Sequence, residues 1–572
     1  MQQKRHRTDA SQSCAKRWLA KFIRDEDGAL IILSLQIFIL MMVCTGIAID
    51  FVRVEDRRAV IQNTLDRAAL AAASLSQDLE PEAVIDDYLA KAGLDYLDVD
   101  TTVEEGNFKE WRRVTIRATD RMPTLFGPLM GINELYTAGN SQATESIGNV
   151  EISLVLDISG SMNFNIYHDD DSRWNGVYPT RMDQLRPAAL NFVEQMFDTV
   201  QPASAPAGRL SISVVPYNQQ VTLGSRVGSV FSLSTEHTQN TCADVFKLPT
   251  SQIAISPSTT LQRTMYGDSF DYWGNNFSLV RTTSSGIMNC PNESFASVLA
   301  YGNDEQTIKD KISGLTPGGD TAIDVGARWG LALLDPAARP ALTSMISQGW
   351  ASNDLAGRPL DYDDGTKDVD DTAMKVMVLM TDGQNTRSYS TKTAYRTGDS
   401  GFVSTRNSSA FSTNSTDWDN LYYYVPSYYK PYYRMRDGAW LYSWQMPSQK
   451  YNITWQTIWG KGYTLQGFID QFGGRAAGAA YGMSKTAIYD TMAEQSEFST
   501  KDSALISLCE AAKDEDRNIV IFTVAVDAPD AGKEVLSECA TAETYAYEVD
   551  ALDLTEAFAS IASAINSLRL TN

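Results

Sequence analysis

Histidine and positive charge are both scarce in this chain, and each shortage excludes a class of function. Among 572 residues there are three histidines, His6, His168 and His237, which leaves little material for imidazole catalysis or a zinc site. Lys and Arg number 48 against 71 Asp and Glu, so the formal net charge is −23. A chain of this charge repels phosphate backbones, and we therefore expect no nucleic-acid partner.

The sequence motifs of several enzyme classes are also missing. No G-x-x-x-x-G-K-[ST] phosphate-binding loop and no G-x-S-x-G nucleophile elbow occur. A haloacid-dehalogenase phosphatase would need a second acid where Ser159 follows Asp157, because that acid transfers the proton. We therefore expect a non-enzymatic interaction protein. A metal-dependent hydrolase with an unrecognised active site is the alternative from another class.

One long uncharged run lies near the N-terminus. Residues 28–49 contain no charged side chain and are dominated by Ile, Leu, Phe, Met and Val. As a helix this run would be about 30 Å long, which is the thickness of a bilayer core. A basic tail, residues 1–27, precedes it and should stay in the cytoplasm, so the rest of the chain would be exported. We expect one transmembrane helix; a cleaved signal peptide or a buried core helix is the alternative.

Four of the six cysteines lie beyond this apolar run. They are Cys242, Cys290, Cys509 and Cys539. An even number of cysteines in an exported region is typical of disulfides. Pairing of sequence neighbours would join Cys242 to Cys290 and Cys509 to Cys539, although the sequence leaves the other pairings open.

Polar side chains follow two apolar strands that are far apart in the chain. The run VEISLVLDISGSM predicts a buried strand ending at Asp157, Ser159 and Ser161, and KVMVLMTDGQN predicts another ending at Asp382. In an open α/β sheet, ligands bind outside the carboxyl ends of parallel strands, so both acids should face one crevice. Carboxylates and hydroxyls without imidazole or thiolate suit a hard cation such as Mg²⁺.

Together with Thr321 in PGGDTAID, these residues resemble the metal-ion-dependent adhesion site of von Willebrand factor type A domains. The resemblance implies that Ser159, Ser161 and Thr321 bind the metal directly, whereas Asp157 and Asp382 act mainly through water. It implies Mg²⁺, or alternatively Ca²⁺ or Mn²⁺, with a partner carboxylate completing the coordination. A degenerate site that is retained only as a turn is the alternative.

From about Val150 onward, strands and helices alternate. The predicted fold is α/β, with a doubly wound, mostly parallel sheet of the von Willebrand factor type A (Rossmann-like) kind, after one transmembrane helix and a helical stalk. The predicted domains are a cytoplasmic tail (1–27), a transmembrane helix (28–49), a stalk with a small α+β segment (50–148) and the type A domain (149–572). Insertions are expected at about 223–290, 335–371 and 387–497, and the last is too long for an unstructured loop.

The N-terminal part has a second resemblance. A charged tail ending in DEDGA, an apolar helix and an Ala-rich run with Gln62 and Asp66 resemble TadE/TadG-like pilus assembly proteins, and TLFGPLMGINELYTAGNSQATE resembles that family's link into a type A domain. The two resemblances together imply a TadG-like protein of the tight-adherence (Flp) pilus system. An ordinary single-pass anchor with an alanine-rich stalk is the alternative.

The second resemblance also implies a location and a partner. The chain would be anchored in a bacterial inner membrane, with its N-terminus cytoplasmic and its bulk periplasmic or surface-exposed. Its partner would be a pilus assembly component or pilin with an acidic contact residue. A surface adhesin that binds a host or matrix ligand through the same metal is the second functional hypothesis.

The 387–497 insertion is rich in Tyr and Trp, which are enriched at binding surfaces. The candidate recognition residues are Tyr428, Tyr429, Tyr432, Tyr433, Trp440 and Trp444. A small β-rich core that turns these aromatics inward is an equally good interpretation. Alternating Tyr and Pro also permit an exposed, partly extended arm.

Overall fold

The computed structural model describes most of the chain and divides it into two compact units. The described residues are 27–74, 79–105, 111–146, 148–167, 179–203, 205–265, 290–292, 294–362, 372–409, 411, 415–463 and 465–571. The units are Met1–Ser146 and Ile147–Asn572. The basic tail before Asp27, residues 266–289 of the first insertion and residues 363–371 of the second lie outside the described residues.

The N-terminal unit is built on one long helix, α1 (Asp27–Ala73). From Leu30 to Val52 its large apolar side chains are mostly exposed, and the helix is long and apolar enough to cross a membrane. Farther along, one face of the same helix becomes buried. The buried residues on that face include Ile61, Leu65, Ala68, Ala69 and Ala72. The helix therefore changes from an all-round apolar segment into an amphipathic one.

A second helix and a small sheet cover this amphipathic half. They are α2 (Pro81–Lys91), β1 (Asp98–Glu105), β2 (Trp111–Pro123) and β3 (Glu134–Ser146). The central strand β2 is antiparallel to both neighbours. Val114 and Ile116 of β2 share an apolar core with Leu65 of α1. Gly139 of β3 allows the close approach, because a Cβ atom there would lie 2.7 Å from Cδ1 of Leu65.

The larger unit alternates strands and helices. Its strands are β4 (Asn149–Asp157), β5 (Leu210–Tyr217), β6 (Leu299–Gly302), β7 (Ala373–Thr381), β8 (Ser388–Thr391), β9 (Asp399–Ser404), β10 (Leu421–Tyr424), β11 (Tyr432–Arg434), β12 (Trp440–Leu441), β13 (Tyr451–Thr454), β14 (Ala493–Ser496), β15 (Val520–Val526) and β16 (Ala546–Val549). Its helices are α3 (Arg181–Val200), α4 (Gly224–Val230), α5 (Glu305–Ser313), α6 (Ile323–Leu334), α7 (Arg339–Ser347), α8 (Trp455–Trp459), α9 (Leu465–Phe468), α10 (Gly474–Tyr481), α11 (Lys485–Met492), α12 (Phe498–Lys513), α13 (Asp530–Cys539) and α14 (Leu554–Thr571).

Six of these strands form the central sheet, in the order β16–β15–β7–β4–β5–β6. Neighbouring strands are parallel except for the β5–β6 pair at one edge. The chain passes from β4 to β5 on one side, whereas β7 pairs with β4 on the other, so the strand order reverses at β4. A crevice therefore forms at the carboxyl ends of β4 and β7. The predicted α/β fold with a doubly wound, mostly parallel sheet is confirmed.

Helices cover both faces of this sheet. On one face Phe192 of α3 meets Phe558 of α14, with ring centroids 5.9 Å apart. On the other face Trp329 of α6 and Leu505 of α12 belong to a second apolar cluster. Because both faces are covered, eight of the nine residues of β4 are buried, as expected for a parallel strand in the middle of a sheet.

The 387–497 insertion is a subdomain with its own core. At its base β8 pairs with β14, and Nε of Arg387 lies 2.8 Å from Oε2 of Glu497. Beyond the base, a five-stranded sheet in the order β12–β11–β10–β9–β13 packs with the helices α8 to α11. Phe402, Trp459 and Phe468 are among the aromatics buried there. The small-core interpretation is therefore right for most of the aromatics, and the extended-arm interpretation is wrong.

Both disulfides expected from neighbouring cysteines are present in the structure. Cys242–Cys290 links residues 48 positions apart in the first insertion, and Cys509–Cys539 joins α12 to α13 across 30 positions. Cys44, in the apolar part of α1, is a free thiol. Each bond closes a loop of the unfolded chain and so favours the folded state.

Candidate metal centre

Asp157 joins the ends of the two central strands. It is the last residue of β4 and is fully buried. Its Oδ1 accepts a hydrogen bond from the backbone N–H of Ser159 at 2.7 Å, and its Oδ2 accepts one from Oγ1 of Thr381 at 2.6 Å. Since Thr381 ends β7, the carboxylate fixes the turn after β4 and the end of β7 in one arrangement.

Asp382 follows β7 and completes a connected polar group. Its Oδ1 accepts a hydrogen bond from Oγ of Ser161 at 2.6 Å, and the hydroxyls of Ser159 and Ser161 are 3.0 Å apart. With Asp157 bonded to the N–H of Ser159, four of the five sequence-predicted residues form one chain of hydrogen bonds. Residues 221 positions apart thus meet at the carboxyl ends of the sheet, as the strand pattern predicts.

Thr321 lies in a neighbouring loop that is held against the same turn. The N–H of Gly160 donates to the carbonyl of Gly319 at 2.8 Å, which joins the two loops directly. A Cβ atom at Gly383 would lie 3.5 Å from Oγ1 of Thr321 and 3.9 Å from Oγ of Ser161. Both hydroxyls therefore face one small space that the missing side chain of Gly383 leaves open. The structure brings Ser161 and Thr321 to this space, and hydrogen bonds connect Asp157, Ser159 and Asp382 to Ser161.

The donor atoms fit a hard cation. The space is lined by the hydroxyls of Ser161 and Thr321, and the carboxylate of Asp382 is hydrogen-bonded to Ser161. All three groups are oxygen donors of the kind that Mg²⁺ and Ca²⁺ prefer. Among the described residues, no group of three or more His, Cys, Asp or Glu side chains could hold a metal ion. A metal centre here would therefore depend on serine and threonine hydroxyls, with few negative charges in direct contact.

Burial makes the two carboxylates unfavourable as anions. Desolvation, followed by the nearby charge of Asp382, raises the pKa of Asp157 to about 7, against the opposing hydrogen bonds from Thr381 and Ser159. Desolvation also raises the pKa of Asp382, against the opposing effects of Ser161 and Arg181. The charges of the two acids repel each other, so the crevice favours a positive charge.

Arg181 supplies such a charge and is not among the residues predicted from the sequence. It is the first residue of α3, after the N-cap Thr180. Its Nη1 donates to Oδ2 of Asp382 at 3.0 Å, and the guanidinium carbon lies 5.7 Å from the ring centroid of Phe164. A positive charge in the first turn of a helix is disfavoured by the helix dipole. That mismatch is the pattern that could have indicated a further role for Arg181.

Asp527 is a third acid at the same end of the sheet, and it too was missed. It follows β15, the strand next to β7, and its Oδ2 lies 3.4 Å from Nε of Arg181. Its φ of 46° is unusual for a residue other than glycine. The run NIVIFTVAVD ends in this acid, in the same way that the runs before Asp157 and Asp382 end in theirs. Three neighbouring strands therefore each deliver one carboxylate to the crevice or its rim.

The six candidate recognition aromatics do not share one environment. Tyr429 and Trp444 are 86% and 78% exposed, and Tyr428 is 40% exposed. Tyr432 and Tyr433 are buried, so they contribute to the subdomain and not to a free surface. Trp440 is half-buried and packs on Tyr428, with centroids 4.8 Å apart. The structure thus reduces the candidate surface to the residues around Tyr429 and Trp444.

Tyr442, which the sequence analysis did not select, connects these two exposed rings. Its ring is stacked on Trp444 at a centroid distance of 5.6 Å and meets Tyr429 edge-on at 5.2 Å. Nζ of Lys430 lies 4.9 Å from the centroid of Tyr442. We call Tyr428, Tyr429, Tyr442, Trp444 and Lys430 the aromatic surface.

Comparison with known proteins identifies the N-terminal segment. Residues 28–75 match the family model described as "Tad: Putative Flp pilus-assembly TadE/G-like". The resemblance of this segment to TadE/TadG-like proteins is thereby confirmed. No curated protein matches the chain.

Two solved structures that resemble the chain are pilus proteins. The pilus adhesin SpaC from Lactobacillus rhamnosus GG aligns with a TM-score of 0.30 and 10% identity over 82% of this chain, which spans 34% of the SpaC chain. The vWF domain of the type V pili tip protein Mfa5 from Porphyromonas gingivalis aligns with a TM-score of 0.28 and 14% identity over 73% of this chain and 96% of its own. Scores this low carry no functional argument, and the fold class rests on the strand order.

Proposed function

We propose that this chain is a membrane-anchored, exported protein-binding module that acts in Flp pilus assembly and binds its partner through a metal ion. The observation that carries the proposal is the shared space at Gly383, which the hydroxyls of Ser161 and Thr321 face, with the carboxylate of Asp382 hydrogen-bonded to Ser161. The match of residues 28–75 supplies the pilus context. The metal is Mg²⁺ in this proposal, with Ca²⁺ or Mn²⁺ as alternatives.

In such a site the predicted residues would have two roles, as direct metal ligands and as ligands that act through water. Ser159, Ser161 and Thr321 would contact the metal directly, and Asp157 and Asp382 would act through water. Thr381 holds the carboxylate of Asp157, and Arg181 holds one oxygen of Asp382, so both acids are oriented without a ligand. Uncharged direct ligands would leave a divalent ion electron-poor, and a carboxylate from the partner could then complete its octahedron.

The disulfides and the N-terminal charge support export. Cys242–Cys290 and Cys509–Cys539 both lie beyond α1, and disulfides persist in oxidising compartments such as the periplasm. The basic residues precede the apolar helix, so the positive-inside rule would keep the N-terminus in the cytoplasm. In this proposal the larger unit therefore lies outside the inner membrane.

The described residues offer little for catalysis, which supports a binding role. His237 is the single histidine among them, and its Nε2 lies 3.1 Å from the carbonyl of Thr264 in the first insertion. Its Nδ1 accepts from the N–H of Gln239 at 3.1 Å, so both ring nitrogens have partners. Of the three acids at the crevice, Asp157 and Asp382 are already hydrogen-bonded, and Asp527 lies 3.4 Å from Nε of Arg181.

The aromatic surface favours a second candidate function, a surface adhesin for a host or matrix ligand. Exposed Tyr429 and Trp444 give the subdomain a contact area of its own. The location of the protein distinguishes the two candidates. Recovery in a sheared surface fraction favours the adhesin, and recovery in the envelope pellet favours the assembly factor.

The test is capture of a partner from detergent-solubilised membranes with the full chain. Wild type and Asp157→Ala/Ser159→Ala are compared in Mg²⁺ and in EDTA. A partner that is lost both in EDTA and in the variant supports metal-dependent binding. The matched control is Ser499→Ala/Asp516→Ala, because it removes the same two residue types at exposed positions. A partner that is retained in EDTA and in the site variant contradicts the proposal.

A further inference from the structure

A charge-free hairpin loop in the N-terminal unit exposes large apolar side chains. The loop joins β2 to β3 over residues 124–133, and no charged residue occurs from Met122 to Asn133. Leu125, Leu129, Met130 and Ile132 are 64%, 68%, 56% and 46% exposed, respectively. A contiguous exposed apolar patch on a protein marks a surface that contacts something else.

Asp50 of α1 holds this loop in place. Its carboxylate accepts hydrogen bonds from the backbone N–H groups of Leu125, Phe126 and Gly127 at 2.8, 2.8 and 2.9 Å. Within the loop, the N–H of Ile132 donates to the carbonyl of Gly127 at 3.0 Å. These backbone groups are satisfied internally, so moving the loop from water into the membrane interface would leave none of them without a partner.

The same residues fix the height of the loop along α1. Phe126 packs on Gly46, one helical turn before Asp50, because a Cβ atom at Gly46 would lie 2.6 Å from the Phe126 ring. From Leu30 to Asp50 the helix rises about 30 Å, the thickness of a bilayer core. The loop therefore lies beside the last apolar turns of α1, where a membrane-spanning helix would leave the hydrocarbon.

Amphipathic side chains flank the loop on its two strands. Arg121 of β2 and Tyr136 of β3 are directly opposite in the antiparallel register. The guanidinium carbon of Arg121 lies 5.6 Å from the centroid of the Tyr136 ring, which is 68% exposed. Tyrosine is enriched at the membrane–water interface, and arginine can keep its charge in water while its stem covers apolar surface. This pair thus has the composition of an interfacial belt.

We propose that residues 124–133 enter the headgroup and outer acyl layer of the leaflet from which α1 emerges, as a second membrane contact of the N-terminal unit. Lipid is the occupant because the exposed apolar side chains of the loop lie next to those of α1, on which Phe126 packs at Gly46, and because the loop has no charge to pair with a protein partner. The inference rests on α1 crossing a membrane and is independent of the metal and of the pilus partner. Two contacts on one rigid unit would restrict its tilt relative to the membrane.

The test measures the depth of one side chain. The full chain carrying Cys14→Ser and Cys44→Ser receives a single new thiol, Leu129→Cys, which is labelled with an environment-sensitive fluorophore with both disulfides oxidised. The protein is reconstituted in phosphatidylcholine vesicles, and quenching is measured with acyl-chain nitroxide lipid and with aqueous iodide. Glu82→Cys is the matched control, since Glu82 is exposed in the first turn of α2, beyond the distal end of α1.

The expected result is a blue-shifted label at position 129 that nitroxide lipid quenches and iodide does not, with the opposite behaviour at position 82. A label at position 129 that iodide quenches as strongly as at position 82 overturns the proposal. Protection from both quenchers would indicate a protein partner or a second copy, and it overturns the proposal equally. Leu125→Ser/Met130→Ser in the labelled chain should reduce lipid quenching, and because both side chains are exposed the fold is not at risk. Carbonate extraction of the same vesicles reports separately on anchoring by α1.

Discussion

Arg181 donates a hydrogen bond from Nη1 to Oδ2 of Asp382 at 3.0 Å, inside the crevice that holds the candidate metal ligands. Both side chains are buried. The pair leaves Oδ1 of Asp382 to Ser161 and places a positive charge where buried carboxylates repel one another. The protein thus provides part of the charge compensation that a divalent ion would otherwise have to provide alone. This arrangement leads to the first prediction.

Arg181→Met should destabilise the metal-free protein more than the metal-loaded protein. Removing one partner of a buried ion pair costs about 3–5 kcal/mol in the free energy of unfolding, because the other charge stays buried and unpaired. A cation beside Ser161 and Asp382 would replace part of the missing charge, so the loss should shrink when Mg²⁺ is present. Urea unfolding of wild type and variant in EDTA and in Mg²⁺ measures both losses.

The control for this prediction is Arg226→Met, because Arg226 is exposed on α4. Its free energy of unfolding should change by no more than about 0.5 kcal/mol in either buffer. Equal losses for Arg181→Met in EDTA and in Mg²⁺ would mean that the guanidinium and the metal do not share the charge of Asp382.

The candidate ligands could be predicted because strand ends are visible in a sequence. Asp157 and Asp382 each follow an uninterrupted apolar run, and the carboxyl ends of parallel strands meet at one edge. Arg181 could not be placed in the same way. Its contact with Asp382 spans 201 residues and depends on how the turn after β4 and the helix α3 pack, which no local pattern records. Asp527 lies between these cases, since the apolar run before it is visible in the sequence but the acid is not among the predicted ligands.

The orientation of the aromatic residues could not be predicted either. Tyr432 and Tyr433 are adjacent in β11 and should face opposite sides of a strand, yet both are buried. Tyr433 packs in the core that the small sheet forms with its helices, and Tyr432 packs in a second small cluster that includes Met446. Both sides of the strand are therefore covered. Tyr429 and Trp444 lie outside the strands, and their exposure follows from the path of the chain, which composition does not encode.

Removal of the two most exposed rings should separate binding from stability. Tyr429→Ser/Trp444→Ser should change the free energy of unfolding by no more than about 0.5 kcal/mol, since neither ring is buried. If the aromatic surface contacts the partner, affinity should fall by about tenfold or more, because exposed Tyr and Trp that become buried at an interface dominate binding. Binding of the captured partner to immobilised protein measures the loss. Trp459→Ser is the contrasting variant, which should unfold the subdomain because Trp459 is 1% exposed. An unchanged affinity of Tyr429→Ser/Trp444→Ser would show that the partner does not contact the aromatic surface.

Because of His237, the free energy of unfolding should fall in mild acid, both with and without a bound metal. Burial, and then the charge of Arg263, lowers the pKa of His237 to about 4, whereas an unfolded histidine titrates near about 6.5. Between these values the unfolded state binds more protons, so the free energy of unfolding should fall as pH falls from about 6.5 to about 4, by on the order of 3 kcal/mol. The difference between wild type and His237→Gln, measured by urea unfolding across this range, isolates the contribution. A difference that does not vary with pH would contradict the prediction.

Gly383→Ala should block metal binding while leaving every candidate ligand in place. The new Cβ would lie 3.5 Å from Oγ1 of Thr321 and 3.9 Å from Oγ of Ser161, which are ordinary contact distances, so the fold should accept it. The methyl group would nevertheless fill the space between the two hydroxyls, where a cation with ligand distances of about 2.1 Å would have to lie. Calorimetric titration with Mg²⁺ should show binding to wild type and none to the variant, and Mg²⁺ should raise the melting temperature of wild type alone.

Gly314→Ala is the matched control, because its Cβ would meet Asp310 and Lys311 carbonyls at 3.5 and 3.7 Å, outside the site. Normal Mg²⁺ binding by Gly383→Ala would mean that the metal lies elsewhere or that Thr321 and Ser161 do not bind it together. Loss of Mg²⁺ binding with an unchanged melting temperature in EDTA would assign the metal to this space. Such a result would not depend on removing Asp157 or Asp382, whose loss would also damage the fold.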